Sequence, residues 1–279
     1  MGVVSPTQIA SFKTELQPFF AEHRREMSWR TPTLKLQPND TLDPYAILVS
    51  EIMLQQTQAG RVEPKFKEFL TRFPRVTDLA QSQLSEVLTL WQGLGYNRRA
   101  KFLWQAAQVI ENNFSGHFPQ TSEELESLPG VGVNTAGATM VYAYNKPAIF
   151  VETNVRTVFI HHFFQKQQNI SDVDIRSTLA QTLDRTNPRD FYWALMDYGS
   201  YLKGTVGNLT KASQSYSKQS AFQGSQRQIR GQILHLLTDK PRTSHELRKH
   251  IDDDRLITVL KELSDEQLIS YSAKRYILG

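Results

Sequence analysis

The chain has 279 residues and no cysteine, a length that suggests about two domains at roughly 150 residues each. Without cysteine there can be no disulfide framework, no thiolate-held zinc or iron–sulfur cluster and no cysteine nucleophile. Thirty-two Lys and Arg against 28 Asp and Glu leave a net charge of +4, which permits a nucleic-acid partner without requiring one.

In chain order, Ser5 or Thr7 caps a predicted helix running to about Arg25, with Ile9, Phe12, Leu16 and Phe19/Phe20 at helical spacing. The first twenty residues are polar and amphipathic rather than a charged region followed by an apolar one. No signal peptide is read there, and no run approaches the roughly 18 apolar residues of a membrane span. The expectation is an intracellular, cytoplasmic and nucleoid-associated protein with no membrane partner. Ser28 to Pro44 holds three prolines and reads as an irregular crossing loop. Helices are then predicted over 45–58, 62–70, 84–90, 97–113, 122–128, 134–144, 155–164, 172–183 and 188–203, with short loops between them. Residues 1–205 thus read as one compact all-α domain.

Between Tyr198 and Thr238 there is no acidic residue, while Lys203, Lys211, Lys218, Arg227 and Arg230 are present. Residues 206–225 read as a basic, Gly/Ser-rich linker. Over 226–279, three short helices (226–237, 244–251 and 254–263) and a hairpin turning near Ser272–Lys274 suggest a winged-helix-like module. Its third helix opens on Asp252, Asp253 and Asp254, so contact with DNA and contact with protein both remain open.

The most informative string is S-E-E-L-E-S-L-P-G-V-G-V-N-T-A, from Ser122 to Ala136. Pro129 forbids continuation of one helix, and Gly130 and Gly132 permit a tight turn into a second, small-residue helix. Such a corner aims free backbone N–H groups, including that of Thr135, and the positive end of a helix at one spot. It suits a DNA phosphate, with a monovalent cation as a candidate ligand at the same turn. Contact of this kind carries no base information. An ordinary helix–turn–helix corner packed on Leu128 and Val131 is the alternative.

LPGVGVNTA followed by VETNVRTV resembles the helix-hairpin-helix (HhH-GPD) superfamily of base-excision DNA glycosylases. SWR, DPYAILVSEIMLQQTQ, LWQGLGYNRRAKFL and ALMDYG resemble its MutY-like, adenine-specific branch, in the same order along the chain. The resemblance implies a mainly α, two-lobed glycosylase fold, a duplex DNA partner with a mismatched or damaged base, and a monomer.

Cutting an N-glycosidic bond requires a protonated leaving base and a stabilised sugar cation. Glu51, in an apolar helix whose desolvation would raise its pKa, sits where the family places the acid that protonates adenine. Glu152 stands where the family ordinarily has Asp. It immediately precedes a predicted helix, whose N-terminus should keep it ionised; a plain capping role is the alternative. Asn134 occupies the position of the lysine that lets some members cleave the backbone, which implies a monofunctional enzyme using water. Lys146 lies too far along the chain to replace it. Asn154 resembles a residue bonding near the carboxylate, and Asp197 the acidic residue of the last helix. Leu54, Tyr96, Asn134, Asn154 and Trp193 are expected at the substrate pocket. Gln56 is expected to fill the gap left by the extruded base, beside Leu54 and Gln55. Arg98, Arg99, Lys101 and Lys203 are expected to contact phosphate, together with Gly130, Gly132, Asn134 and Thr135 of the hairpin.

Three features depart from that branch. The stretch Gly204–Gln223, where its members hold an iron–sulfur cluster, contains no cysteine, so Tyr216 and Phe222 are expected to anchor the C-terminal segment. Where its members usually carry a larger domain that senses 8-oxoguanine, only the short winged-helix-like module is expected. Trp193 stands where an amide would read adenine, and an indole supplies one donor and no acceptor. The expected activity is hydrolysis of adenine mispaired with guanine or 8-oxoguanine. Excision of uracil or thymine opposite guanine, and non-catalytic lesion binding, are the alternatives. Glu51 and Glu152 are expected to face each other across a nucleotide-wide slot.

Overall fold

A computed structural model describes residues 4–30, 40–218 and 221–279; most of the expected crossing loop, residues 31–39, lies outside them. The elements are α1 (Pro6–His23), a 3-10 turn (Ser28–Arg30), α2 (Pro44–Leu54), α3 (Ala59–Arg72), α4 (Val76–Ala80), α5 (Leu84–Leu90) and α6 (Arg98–Phe114). After them come α7 (Ser122–Glu126), α8 (Val133–Tyr144), α9 (Thr153–Phe163), α10 (Asp172–Thr182), α11 (Pro188–Thr205) and a second 3-10 turn (Leu209–Ala212). The chain ends with α12 (Gln226–Asp239), α13 (Ser244–Arg248), α14 (Leu256–Asp265) and the strands β1 (Ile269–Ser272) and β2 (Arg275–Leu278). It is mainly helical, as expected. Among the described residues no helix is long and apolar enough to cross a membrane.

The chain divides into two compact units, each assembled from separated stretches. Unit 1 comprises 1–47, 120–126 and 131–218. Its α1 opens with Pro6 and a reciprocal cap: the Ser5 hydroxyl accepts from the Gln8 amide while the Gln8 side chain accepts from the Ser5 amide. Phe12 and Leu16 then point into a core shared with α8, α9 and α11. The run Phe191–Gly199 of α11 is buried on every side, as a helix apolar all round must be. Phe150 stacks on Tyr192 at 4.0 Å.

Gly199 is part of this packing, because a Cβ there would lie 2.6 Å from the Asn154 carbonyl oxygen. Only glycine lets α9 and α11 come so close. Two residues earlier, buried Asp197 accepts from the Arg25 amide and Nε at 3.0 and 2.6 Å. It also accepts from Arg30 Nη1 and Nη2 at 2.9 and 3.1 Å. The MDYG block therefore fixes packing and charge pairing in unit 1.

The Gly/Ser-rich stretch after α11 is tied down in part. The Ile170 amide donates to the Ala212 carbonyl and the Gln214 amide to the Ile170 carbonyl, each at 2.9 Å. Ser213 thereby pairs with Ile170 in a short parallel bridge, and Thr210 and Ser213 are buried. The anchors expected, Tyr216 and Phe222, are instead exposed. Backbone pairing rather than aromatic burial holds this segment. The segment has no cysteine and, among the described residues, no cluster of ligating side chains, so it does not fit an iron–sulfur group.

Unit 2 comprises 48–119, 127–130 and 219–279. Its core is built on Phe69, Phe73, Leu79, Trp91 and Leu103, all buried. The helix α4 was not expected; Asp78 caps it by accepting from the Arg75 amide at 3.0 Å. In the last 54 residues, 226–279, α12 and α14 bury Ile229, Ile233, Leu234, Val259, Leu260 and Leu263. The antiparallel hairpin pairs Ile269 with Leu278, and Ala273 and Lys274, both at positive φ, make its turn. Within the unit, Lys101 Nζ donates to the Glu266 carbonyl at 2.7 Å and to Gln267 Oε1 at 2.9 Å. That lysine, expected on phosphate, binds the C-terminal helices to α6.

Candidate active site

At the expected hairpin, α7 ends at Glu126 and α8 begins at Val133. Gly130 has φ +76°, and a Cβ there would stand 2.6 Å from Cβ of Phe102; both facts require glycine. Gly132 caps α8 in extended conformation, its carbonyl accepting from the Ala136 amide. Nothing lies within 4 Å of where its Cβ would be. The backbone on this side is open, while Thr135 is half-buried.

Asn134, the second residue of the hairpin's second helix, does not point outward. Its Nδ2 donates to the Val151 carbonyl at 3.1 Å, its Oδ1 accepts from the Val151 amide at 3.4 Å, and Arg176 donates to the same oxygen at 3.2 Å. The amide side chain thus pairs with the residue preceding Glu152 as a neighbouring strand would. Glu152 is the N-cap residue of α9 but makes no capping hydrogen bond with its side chain. Burial pushes its carboxyl up to about 7, against the pull of Arg156. Arg156 is itself engaged, donating twice to Asp172 at 2.7 Å. A carboxylate expected to stay fully ionised is therefore poised near neutrality, because desolvation outweighs one shared guanidinium. Asn154, two residues on in the first turn of α9, directs Nδ2 at Met196 Sδ, 3.8 Å away.

Glu51, on α2, belongs to unit 2 and is half-buried. Beyond Leu54 the helix gives way, and Gln56 adopts φ +54°, a left-handed conformation that a non-glycine residue rarely takes. Tyr96, in the GLGY turn, does the same at φ +49°. Gln56 and Arg98 are exposed and Leu54 half-buried. Gln55, Gln56, Tyr96, Arg98 and Phe102 line one cavity of about 440 Å³.

Residues 49–184 match the profile of the HhH-GPD superfamily base excision DNA repair proteins. The adenine DNA glycosylase of Mycolicibacterium smegmatis is 32% identical over 249 residues, 81% of this chain and 80% of that protein. The chain belongs to the HhH-GPD superfamily. A second relative, the adenine DNA glycosylase of Buchnera aphidicola, is 30% identical over 227 residues, 78% of this chain and 61% of that protein. The chain spans about three fifths of that relative's length. Among solved structures, a thermostable thymine-DNA glycosylase superposes with a TM-score of 0.60 at 27% identity, over 70% of this chain and 87% of that one.

Glu51, Leu54, Gln56, Tyr96, Arg98, Gly130, Asn134, Glu152 and Asn154 all fall within the HhH-GPD match. Two expected site residues do not act as expected. Arg99 is buried, its Nη1 donating to the Ile52 and Met53 carbonyls at 2.7 and 2.8 Å and its Nη2 to Thr57, Leu94 and Gly95. It ties the end of α2 to the GLGY turn rather than meeting phosphate, and burial lowers its pKa to about 10. Trp193 is also buried, stacked on Tyr142 with Arg24 and Arg30 over its ring. It is core, not pocket. Lys203 is exposed. Sequence reasoning passed over Arg176, which steadies Asn134, although α10's helical spacing offered no sign of its reach.

Proposed function

We propose that the chain is a monofunctional DNA glycosylase that extrudes adenine mispaired with guanine or 8-oxoguanine and hydrolyses its N-glycosidic bond. The adenine DNA glycosylase relatives support the substrate. The observation that carries the chemistry is Glu152, a carboxyl lifted to about 7 at a helix N-terminus it does not cap. A structural role would give it a bond to make, whereas a site for charge on a sugar keeps it waiting. Glu51 protonates adenine as the bond from the sugar to N9 breaks. Ionised Glu152, held in place through Val151 by Asn134, stabilises the sugar cation and takes a proton from the water that bonds to C1′.

Asn134 offers no amine for a Schiff base, and Lys146 Nζ donates to the Gln120 carbonyl at 3.3 Å. Water is thus the nucleophile. The open backbone at Gly132, with the amide of Thr135 beside it, grips a phosphate, and Arg98 and Lys203 add phosphate contacts. Gln56 enters the space vacated by the flipped base, beside Leu54. The active species is a monomer on duplex DNA.

A second reading, removal of thymine or uracil opposite guanine, is favoured by the 27% identical thymine-DNA glycosylase and by burial of Trp193, which stands where an amide would read adenine. End-labelled duplexes carrying A:8-oxoG, A:G, T:G and U:G, treated with alkali after incubation, decide the matter. Alkali-dependent breaks at adenine are expected; breaks at T or U alone establish the second reading. Binding without alkali-labile sites would reduce the protein to a lesion-binding module. Glu51→Gln is expected to abolish release with DNA affinity nearly unchanged, and retained turnover would remove Glu51 from the mechanism.

A further inference from the structure

The C-terminal module lies within unit 2 and outside the family-matched stretch, and its charges are divided along the chain. Residues 252–266, which contain α14, carry six acids against Arg255 and Lys261. Arg255 is committed to Asp253, donating to its two oxygens at 2.9 and 2.7 Å. In a helix-turn-helix arrangement the later helix enters the DNA groove. Here α14 would bring acidic side chains to a phosphate backbone, which repels them.

Residues 240–250 have the opposite balance, with Lys240, Arg242, Arg248 and Lys249 against a single acid, Glu246. Glu246 is occupied: it accepts from the Thr243 amide at 2.6 Å, closing a capping box on α13, and from Arg275 Nη1 at 3.1 Å. Arg242 is occupied too, on the Leu236 carbonyl and on Asp239. Lys240, Arg248 and Lys249 are exposed, as is Lys274 in the hairpin turn. Among the described residues, none of these four side chains makes a hydrogen bond or ion pair. His245, Arg248 and Lys249 recur at i, i+3 and i+4, so one exposed face of α13 presents them together.

The support beneath these groups is fixed. Arg242 and Tyr276 exchange backbone hydrogen bonds at 3.1 and 2.8 Å, which sets residue 242 beside β2. Arg275 donates to the Pro241 carbonyl at 3.0 Å as well as to Glu246, joining β2 to the start of α13. The Tyr271 and Tyr276 rings pack 4.8 Å apart across the hairpin and brace its turn. Lys240, α13 and the Lys274 turn thus belong to one scaffold. A cation with no partner in the chain gives up nothing when it meets a phosphate, and each phosphate neutralised releases condensed counterions.

We propose that Lys240, Arg248, Lys249 and Lys274 form a surface that binds the phosphate backbone of duplex DNA, with α13 and the hairpin turn in the role that α14 cannot fill. The inference rests on the reading of the chain as an enzyme of duplex DNA. It makes the short C-terminal module an anchor that selects no base.

The test uses the full chain, a double variant carrying Arg248→Gln and Lys249→Gln, the single variants Lys240→Gln, Lys274→Gln and Arg248→Lys, and Lys261→Gln on α14 for comparison. Binding to a fully paired duplex and to an A:8-oxoG duplex is measured between about 50 and 200 mM salt. Single-turnover excision is followed at saturating protein, and thermal melting shows that each variant is folded. The double variant is expected to bind both duplexes severalfold less tightly at low salt. Its slope of log affinity against log salt should shrink by about 0.9 for each phosphate contact removed. Lys240→Gln and Lys274→Gln should each remove part of that slope, and Arg248→Lys, which keeps the charge, should retain it. Excision from the saturated complex should not change, and Lys261→Gln should bind as the wild type does.

An unchanged slope in the double variant overturns the proposal and leaves this face to an acidic protein or to solvent. Weakening by Lys261→Gln alone overturns it in favour of α14. A loss confined to the mismatched duplex overturns it as well, since backbone contact reads no mispair, and so does failure of the wild type to bind the paired duplex. If no duplex loses a base, the glycosylase reading fails, while binding to the paired duplex still decides this inference.

Discussion

Glu152 makes stability depend on pH and, under the proposed function, excision as well. Its carboxyl titrates near 7 in the fold against an ordinary value of 4.5. Between those values the folded state binds more protons than the unfolded chain, so stability falls as pH rises through that window. Below 4.5 both states hold the proton and the penalty vanishes. Glu152→Gln is therefore expected to melt close to the wild type at pH 4 and a few degrees above it at pH 8. Thermal unfolding at both values checks this; an equal gap at each would mean that ionisation is not the cause. Excision should rise through pH 7 as the carboxyl ionises, in the direction opposite to stability.

Neighbouring residues of the same type serve different ends. Arg98 is exposed over the Phe102 ring, while Arg99 is buried on five oxygen acceptors. Removing Arg99 would orphan carbonyls at the end of α2 and in the GLGY turn, at a cost of about 1–3 kcal/mol for each group that water cannot reach. The distinction was legible in helical phase. Arg99, Leu103, Ala106, Ala107 and Ile110 recur at intervals of three and four and form the buried face of α6. Trp193 offered no such clue, because α11 is buried all round and has no polar side to set its phase. The raised pKa of Glu152 was likewise hidden, since it depends on surroundings contributed from elsewhere in the chain.

At the scale of elements, the hairpin separates two uses of glycine. Gly130→Ala forces a Cβ into a left-handed backbone and against Phe102, so a loss of roughly 2 kcal/mol or more is expected in chemical denaturation. Gly132 has an extended backbone and open space beside it. Gly132→Ser supplies a good cap and should leave stability within about 1 kcal/mol, while its side chain obstructs an approaching phosphate and weakens DNA binding. Equal affinity for DNA in Gly132→Ser would remove the hairpin from the interface. The periodic helices and the C-terminal hairpin were readable from spacing and turn residues alone. The five-residue α4 was too short to establish a period, and the pairing of Ser213 with Ile170 joins residues with no sequence relation.

For the whole molecule, the C-terminal module is structurally part of unit 2. Lys101 binds Glu266 and Gln267, and Arg227 binds Tyr96. A chain ending at Lys218 is expected to lose cooperative unfolding of unit 2 while unit 1 retains its own transition. Tryptophan fluorescence distinguishes the two, because Trp29 and Trp193 lie in unit 1 and Trp91 and Trp104 in unit 2. Unaltered melting of the unit 2 signal would show the module to be dispensable.

The interlaced path of the chain also imposes an order on synthesis. Unit 1 has all its residues once Lys218 has been made, whereas 48–119 must await 219–279. At about 5–20 residues per second, the intervening hundred residues take roughly 5–20 s to emerge. During that interval the first half of unit 2 stands outside the ribosome with its docking face uncovered, making the nascent chain a client for chaperones until its last residues emerge.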